Sequence, residues 1–369
     1  MDVELKPGFF SGEIPTEGIC WHDAAEECFQ IFGLYMPSIY ERGDEPARYQ
    51  RLPDEVAAKI GGPIQERLYK QTSGGRVRFR TDSKYVAIRV YWDSLTEAPH
   101  MPSSGSSGFD LYLTEDGQCR FYRGFVPPYN PDERRKGYTS ANHFPDRRMR
   151  DVTIHMPLYN SVKKLCIGLE EGAKIEYASE YARKEPIVYY GSSITQGACA
   201  SRPGNCYQGY ISRRFNLDWR NIGFSDGARG ELCIANYIAS LDMCAFVYDY
   251  DHNAASAEWL WNTHYNFYEV IRKAHPDVPI ICVSRPEPRP CDRFSMEEII
   301  EKNRVRKEAI LGTVKKAKEN GDKHIYFVDG EAMYGDDFSD CCNVDGTHPN
   351  DLGFYRMACA IGDVLAEAL

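Results

Sequence analysis

The chain has 369 residues, 27% charged and 43% hydrophobic, with a net charge of -10. That balance excludes a disordered polymer and supplies apolar side chains for two cores rather than one. With no dense lysine or arginine stripe, the acidity also excludes a phosphate backbone as partner, so no nucleic-acid binding is expected.

No stretch approaches the roughly 18 apolar residues of a membrane span, so no membrane partner is expected. The opening segment Met1–Gly8 is acidic and has no apolar core, so it does not read as a signal peptide. The 13 cysteines are odd in number, and Cys166, Cys233, Cys244, Cys282 and Cys359 have apolar neighbours. That pattern predicts reduced, buried thiols in a cytoplasmic protein rather than a disulfide framework. Cys341 and Cys342 are adjacent and lack Cys-x-x-Cys spacing, so no metal is expected.

In chain order, the first ~180 residues read as short strands of period two. Val77 and Phe79 alternate with Arg76, Arg78 and Arg80, and Val86, Ile88 and Val90 with Ala87, Arg89 and Tyr91. Leu111 and Leu113 follow the same period, then Val152, Ile154 and Met156, then Leu165, Ile167 and Leu169. One face of each is expected buried and the other wet. Gly74-Gly75, Asp116-Gly117 and Glu171-Gly172 supply turns. An antiparallel, jelly-roll-like β-sandwich is predicted over residues 1–183. Within it, 101–108 is rich in Ser and Gly and reads as a flexible loop. Tyr91-Trp92 reads as core, with a carbohydrate platform as the lesser alternative.

From Pro186 the rhythm changes. Apolar runs at 187–190, 221–224, 245–248, 280–283 and 325–328 alternate with helical patterns near 207–215, 232–240, 259–274, 297–318 and 352–369. Ser295 with Glu298 forms a capping box for the fourth helix. Five buried strands alternating with helices predict an α/β/α domain over residues 184–369, flavodoxin-like, with a five-stranded parallel sheet. Ligands bind at the carboxyl ends of such strands. Ser193 follows the first strand, Asn253 the third and His348 the last, which places all three on one edge.

Those residues have the chemistry of acyl transfer. A serine at a strand-to-helix turn needs a base, and a histidine base needs a carboxylate to fix its tautomer. Gly191-Ser192-Ser193 and Asp345-Gly346-Thr347-His348 supply them in the order Ser…Asp…His. Taken singly, each segment also has a structural use: Gly-Ser-Ser is an ordinary loop, Asp345-Gly346 a good turn, and Asn253 and Asn350 helix caps. The joint arrangement favours catalysis.

Four blocks resemble the SGNH hydrolases, the GDSL esterase/lipase superfamily. They are Gly191-Ser192-Ser193, Asn221-Ile222-Gly223-Phe224-Ser225-Asp226-Gly227, Asp251-His252-Asn253 and Asp345–His348. In the first half, Gly108-Phe109-Asp110-Leu111-Tyr112 is similar to the GxDLY signature of a β-sandwich found before one SGNH subgroup. The resemblance implies Ser193 as nucleophile, His348 as base and Asp345 as its partner. It implies an oxyanion hole from Ser193, Asn253 and a backbone N–H at Asp226 or Gly227, and no cofactor. Two positions depart from the pattern: Ser192 stands for the usual Asp, and Asp226 where Gly is usual.

The implied reaction is hydrolysis of a short-chain O-acyl ester, O-acetyl first, on a carbohydrate, an oligosaccharide or another small molecule. The alternatives are acyl transfer to an alcohol by the same triad, and an inactive protein with a carbohydrate-binding sandwich. Arg202, Trp259, His264 and Arg285 lie near the predicted edge as candidate substrate-binding residues, with core packing or ion pairing as their plainer roles.

Overall fold

In a computed structural model describing residues 4–36, 49–286, 289–290 and 293–369, the alternating segments of the first half pair into two antiparallel sheets. Met1–Val3 of the opening segment lie outside the described residues. The strands are β1 (Ile19–Asp23), β2 (Gln30–Phe32), β3 (Arg76–Thr81), β4 (Tyr85–Ser94), β5 (Phe109–Glu115), β6 (Gln118–Phe125), β7 (Gly137–His143), β8 (Arg150–His155), β9 (Ser161–Glu170) and β10 (Ile175–Glu176). One sheet has the order β1-β9-β4-β7; the other runs β10-β3-β8-β5-β6, with β2 also on β3. Val77, Phe79, Ile88, Val90, Leu111, Val152, Ile154, Leu165 and Ile167 form the shared core, as the period-two pattern predicts. Trp92 joins this core, its indole N–H donating to the Arg134 carbonyl at 2.8 Å.

Two features differ from expectation. Most of the polar face of β3 is not wet: Arg76 and Arg78 are buried, and only Arg80 is partly exposed. The Arg78 guanidinium lies 4.1 Å from the centre of the Tyr181 ring and donates to the Ser179 carbonyl at 2.9 Å, so the chain after β10 covers this face. Segment 101–108 is not a loose loop either. Ser103–Ser106 makes a helical turn, and the carbonyls of Gly105 and Ser106 accept from the Leu158 and Tyr159 N–H groups, which fixes it in place.

Two compact units emerge. One comprises Met1–Pro53, Tyr69–Tyr181 and Ser201–Gly204; the other comprises Asp54–Leu68, Ala182–Ala200 and Asn205–Leu369. Asp54–Leu68 carries helices α1 (Asp54–Ile60) and α2 (Gly62–Glu66). They belong to the second unit although they precede most of the sandwich.

The second unit is built on β11 (Ile187–Gly191), β12 (Trp219–Gly223), β13 (Ala245–Asp249), β14 (Ile280–Val283) and β15 (Ile325–Val328), parallel throughout, in the order β12-β11-β13-β14-β15. The helices around it are α3 (Ser193–Gln196), α4 (Tyr207–Phe215), α5 (Leu232–Ala239), α6 (Ala257–Ala274), α7 (Met296–Glu319) and α8 (Asp351–Ala368). α1 packs on α5. The predicted capping box is present: Ser295 Oγ accepts the Glu298 N–H while Glu298 accepts the Ser295 N–H. Among the described residues no disulfide joins the cysteines to one another, and no helix is long and apolar enough to cross a membrane.

Candidate active site

The site begins where β11 turns into α3. Gly191 passes so close to β13 that a Cβ there would lie 2.0 Å from the Asp249 carbonyl oxygen, so only glycine fits. Ser192 caps the helix, its hydroxyl accepting the Ile194 N–H at 3.2 Å, and Gly197 ends it at φ 103°. Ser193 is thereby held on the first turn as a partly buried residue.

Its partner comes from the loop before α8. Asp345 Oδ1 accepts the N–H groups of Thr347 at 3.0 Å and His348 at 2.8 Å, a turn stabilised by the side chain. Gly346 takes φ 83° within it. Asn350 caps α8 by accepting the Leu352 and Gly353 N–H groups. The cap and the turn fix His348 between them. Its Nδ1–H donates to Asp345 Oδ2 at 2.7 Å, which leaves Nε2 to accept from the Ser193 hydroxyl at 2.9 Å. Burial alone would raise the Asp345 carboxyl, but the hydrogen bonds from His348 and Thr347 outweigh it and hold the group at about 2. The carboxylate is therefore charged at any physiological pH. Cys199, which the sequence reading passed over, has its Sγ within 4.8 Å of a His348 ring nitrogen. Burial, with Asp345 nearby, pushes its thiol up to about 12, so it stays protonated.

The third wall is the 3₁₀ turn Asp251–Asn253 after β13. Asn253 Nδ2 donates to the Phe224 carbonyl at 2.8 Å, which ties this turn to the one after β12. In that second turn the Gly227 N–H is spent on the Phe224 carbonyl at 3.1 Å. Asp226 takes φ 54°, the left-handed region that favours glycine, and its side chain is exposed. Asp251 is buried and bridges two guanidiniums, accepting at Oδ1 from Arg285 at 3.1 Å and Arg306 at 2.7 Å. Arg306 also donates to the Ala254 carbonyl at 2.8 Å, so both ends of the Asn253 turn are clamped.

The structure brings Ser193, Asp345, His348, Asn253 and the Asp226–Gly227 turn to one edge of the sheet. The other candidates fall elsewhere or are already engaged. His264 is buried; its Nδ1 is 2.9 Å from Thr313 Oγ1 and its ring is 4.3 Å from that of Tyr248. Burial lowers its imidazole to about 3, so it stays neutral inside the core. Arg202 belongs to the first unit. It pairs with Asp110 at 3.0 Å, donates to the Tyr112 hydroxyl at 2.6 Å and lies over Phe121. The signature Asp110 and Tyr112 thus bind this arginine. Trp259 donates its indole N–H to the Arg229 carbonyl at 2.7 Å and is half-exposed. Arg285 is committed to Asp251, yet it also lines a cavity of about 240 Å³ beside Gly346 and Thr347. A larger cleft of about 710 Å³, lined by Tyr268, Arg272 and Asp322, contains none of these residues.

This geometry suits attack on a carbonyl: a hydroxyl in hydrogen-bond contact with a histidine, the histidine oriented by a carboxylate, and an amide side chain nearby. Residues 184–366 match the GDSL-like lipase/acylhydrolase family, and residues 19–175 match the N-terminus of SGNH-hydrolase-type esterases. Among solved structures, the chain is similar to a candidate GDSL-like lipase from Bacteroides ovatus, with 27% identity over 95% of this chain and 98% of that one and a TM-score of 0.79. It shares its fold with the salicylyl-acyltransferase SsfX3 of a tetracycline biosynthetic pathway, at 19% identity, 96% and 98% coverage and TM-score 0.78. The fold is also that of a family two carbohydrate esterase from Clostridium thermocellum, at 14% identity, 80% and 92% coverage and TM-score 0.56. No curated protein matches the chain. The chain belongs to the GDSL-like lipase/acylhydrolase family, a carboxylic ester hydrolase of SGNH type preceded by the GxDLY β-sandwich domain.

Proposed function

We propose that the protein is a serine esterase that removes short acyl groups, acetyl first, from hydroxyls of a carbohydrate or another small molecule. The carrying observation is the unbroken hydrogen-bond chain from Ser193 through His348 to Asp345. In this reading Ser193 Oγ bonds to the ester carbonyl carbon as its proton passes to His348 Nε2. The charge developing on the carbonyl oxygen is met by the Ser193 N–H, the Asn253 amide and the Asp226 N–H, since the Gly227 N–H is already used. The carbon–oxygen bond to the alcohol then breaks, and His348 returns the proton to the leaving oxygen. Water repeats the sequence on the acyl-enzyme, releasing the acid and restoring Ser193. The Asp226 carboxylate, exposed on its left-handed residue, does not prevent its backbone from serving as donor.

The choice of carbohydrate esters rests on likeness of fold: the Clostridium thermocellum neighbour was solved with cellohexaose. A cytoplasmic location is supported by cysteines that, among the described residues, form no disulfide with one another. The test is hydrolysis of a chromogenic acetate by the wild type and Ser193→Ala, with a fluorophosphonate label mapped by mass. Turnover lost in the variant, with the label on Ser193, is expected. A folded wild type with neither turnover nor label overturns the proposal. Added alcohols with product analysis separate hydrolysis from acyl transfer.

A further inference from the structure

The cavity of about 240 Å³ beside the Asp345–His348 turn has features the acyl chemistry leaves unused. Among the described residues, Arg285, Arg289 and Lys302 line it, and no described Asp or Glu does. Asp251 lies behind Arg285, but it is shared with Arg306, so one carboxylate faces two guanidiniums. Glu298, the acidic neighbour of Lys302 on α7, accepts from the Ser295 N–H and hydroxyl in the capping box. Two further polar atoms are buried at this cavity with no hydrogen-bond partner among the described residues: the Tyr334 hydroxyl and His252 Nε2. Tyr334 is 1% exposed, so its hydroxyl has no access to bulk water. An unmade bond at such a site is costly, and a ligand that accepts from it removes the cost. His252 adjoins Asn253 and Thr347 adjoins His348, so the cavity wall is one residue from two groups of the proposed acyl-transfer site. Its volume is below the ~300 Å³ of a pocket that encloses a whole drug-sized ligand, which suits one compact group of a larger molecule.

We infer that this cavity receives an oxyanion, carboxylate or phosphate, carried by the ester substrate, with Lys302 and Arg285 supplying charge and Tyr334 and His252 supplying hydrogen bonds. The substrate class is then an acylated acidic sugar or a comparable small acid, not a neutral glycan. This deepens the esterase reading and rests on it for the word substrate; the binding itself does not.

The experiment uses full-length Ser193→Ala protein, so that nothing turns over, and calorimetry with three probes: a mono-O-acetyl glucuronate, its uncharged methyl ester and an O-acetyl hexose phosphate. Expected is a Kd about tenfold lower for at least one charged probe than for the methyl ester, the order of one charge-assisted hydrogen bond. Lys302→Met and Tyr334→Phe, each added to Ser193→Ala, are expected to bring that ratio to within about twofold, the second by removing a single oxygen. Preference for the carboxylate or the phosphate probe identifies the anion. Equal binding of charged and uncharged probes, no binding of any, or a preference that survives both variants overturns the inference. Charge-selective binding in a protein whose wild type hydrolyses no ester would sink the esterase reading and leave the anion site standing.

Discussion

Replacing Asp345 by Asn keeps the shape of the turn and changes one thing. The amide oxygen still accepts the Thr347 and His348 N–H groups, but an NH₂ now faces His348 Nδ1 where Oδ2 stood at 2.7 Å. Two donors cannot share that contact, so the imidazole carries its proton on Nε2 and loses its acceptor for the Ser193 hydroxyl. Loss of the carboxylate behind a catalytic imidazole costs on the order of 10⁴-fold in kcat where that group is buried. Here the Asp345 side chain is 35% exposed, so water screens part of the charge and we expect about 10²- to 10³-fold. Stability changes too. A carboxyl lowered from 3.8 to about 2 corresponds to roughly 2.5 kcal/mol unscreened, which the exposure reduces to about 1 kcal/mol. Because the folded-state value is depressed, the wild-type advantage is fully present above about pH 4 and is lost as pH falls through about 2. Steady-state kinetics on a chromogenic acetate and urea unfolding from pH 6 downward read both effects. A kcat within tenfold of wild type, or a stability gap that does not narrow between about pH 4 and pH 2, refutes the reasoning.

Asn253→Ala should lower kcat by about 100-fold with KM within about threefold, since its amide is assigned to charge that develops only in the transition state; a loss confined to KM contradicts that role. Asp226→Gly should keep kcat/KM within about threefold, because the proposed donor is backbone and glycine accepts φ 54°; a loss beyond tenfold would make the carboxylate itself functional. Gly191→Ala should be destabilised by about 3 kcal/mol or more, with its Cβ 2.0 Å from the Asp249 carbonyl oxygen and 2.1 Å from Thr195 Oγ1; a melting temperature within 2 °C or so of wild type counts against the close approach described for β11 and β13.

The parallel sheet was legible because β11, β13, β14 and β15 are apolar almost throughout, and such runs have few other uses in a globular chain, whereas β12 carries Arg220 and Asn221. The proposed triad was legible because Asp345 and His348 lie within one turn and Ser193 directly follows a strand. What escaped depends on partners distant in sequence. An ion pair for Arg285 is an open alternative in the sequence, but its partner Asp251, 34 residues earlier, gives no local sign that it pairs with arginine. His264 has core packing as its plainer reading, but its partner Thr313, 49 residues on, has no local signal. Arg76 and Arg78 alternate as solvated residues do, and only the chain after β10 reveals that they are covered. β1 and β2 mix Cys, His, Gln and Trp and are half-buried throughout, so no period marks them. Helices α1 and α2 are only seven and five residues long, too short for an amphipathic stripe to show.

Those two short helices also govern how the protein can be taken apart. Ile64 on α2 is almost wholly buried, and a Cβ on Gly227 would come within 2.6 Å of it. A piece of the N-terminal half thus backs the turn that carries Asp226. A single cut after residue 181 therefore cannot yield an intact second unit, however well the sequence boundary is chosen. Any chimera that grafts a foreign sandwich onto residues 182–369 must bring along Asp54–Leu68, or the graft will leave the Asp226 turn uncovered. During synthesis the same arrangement makes residues 54–68 wait, emerging long before the sheet on which they settle.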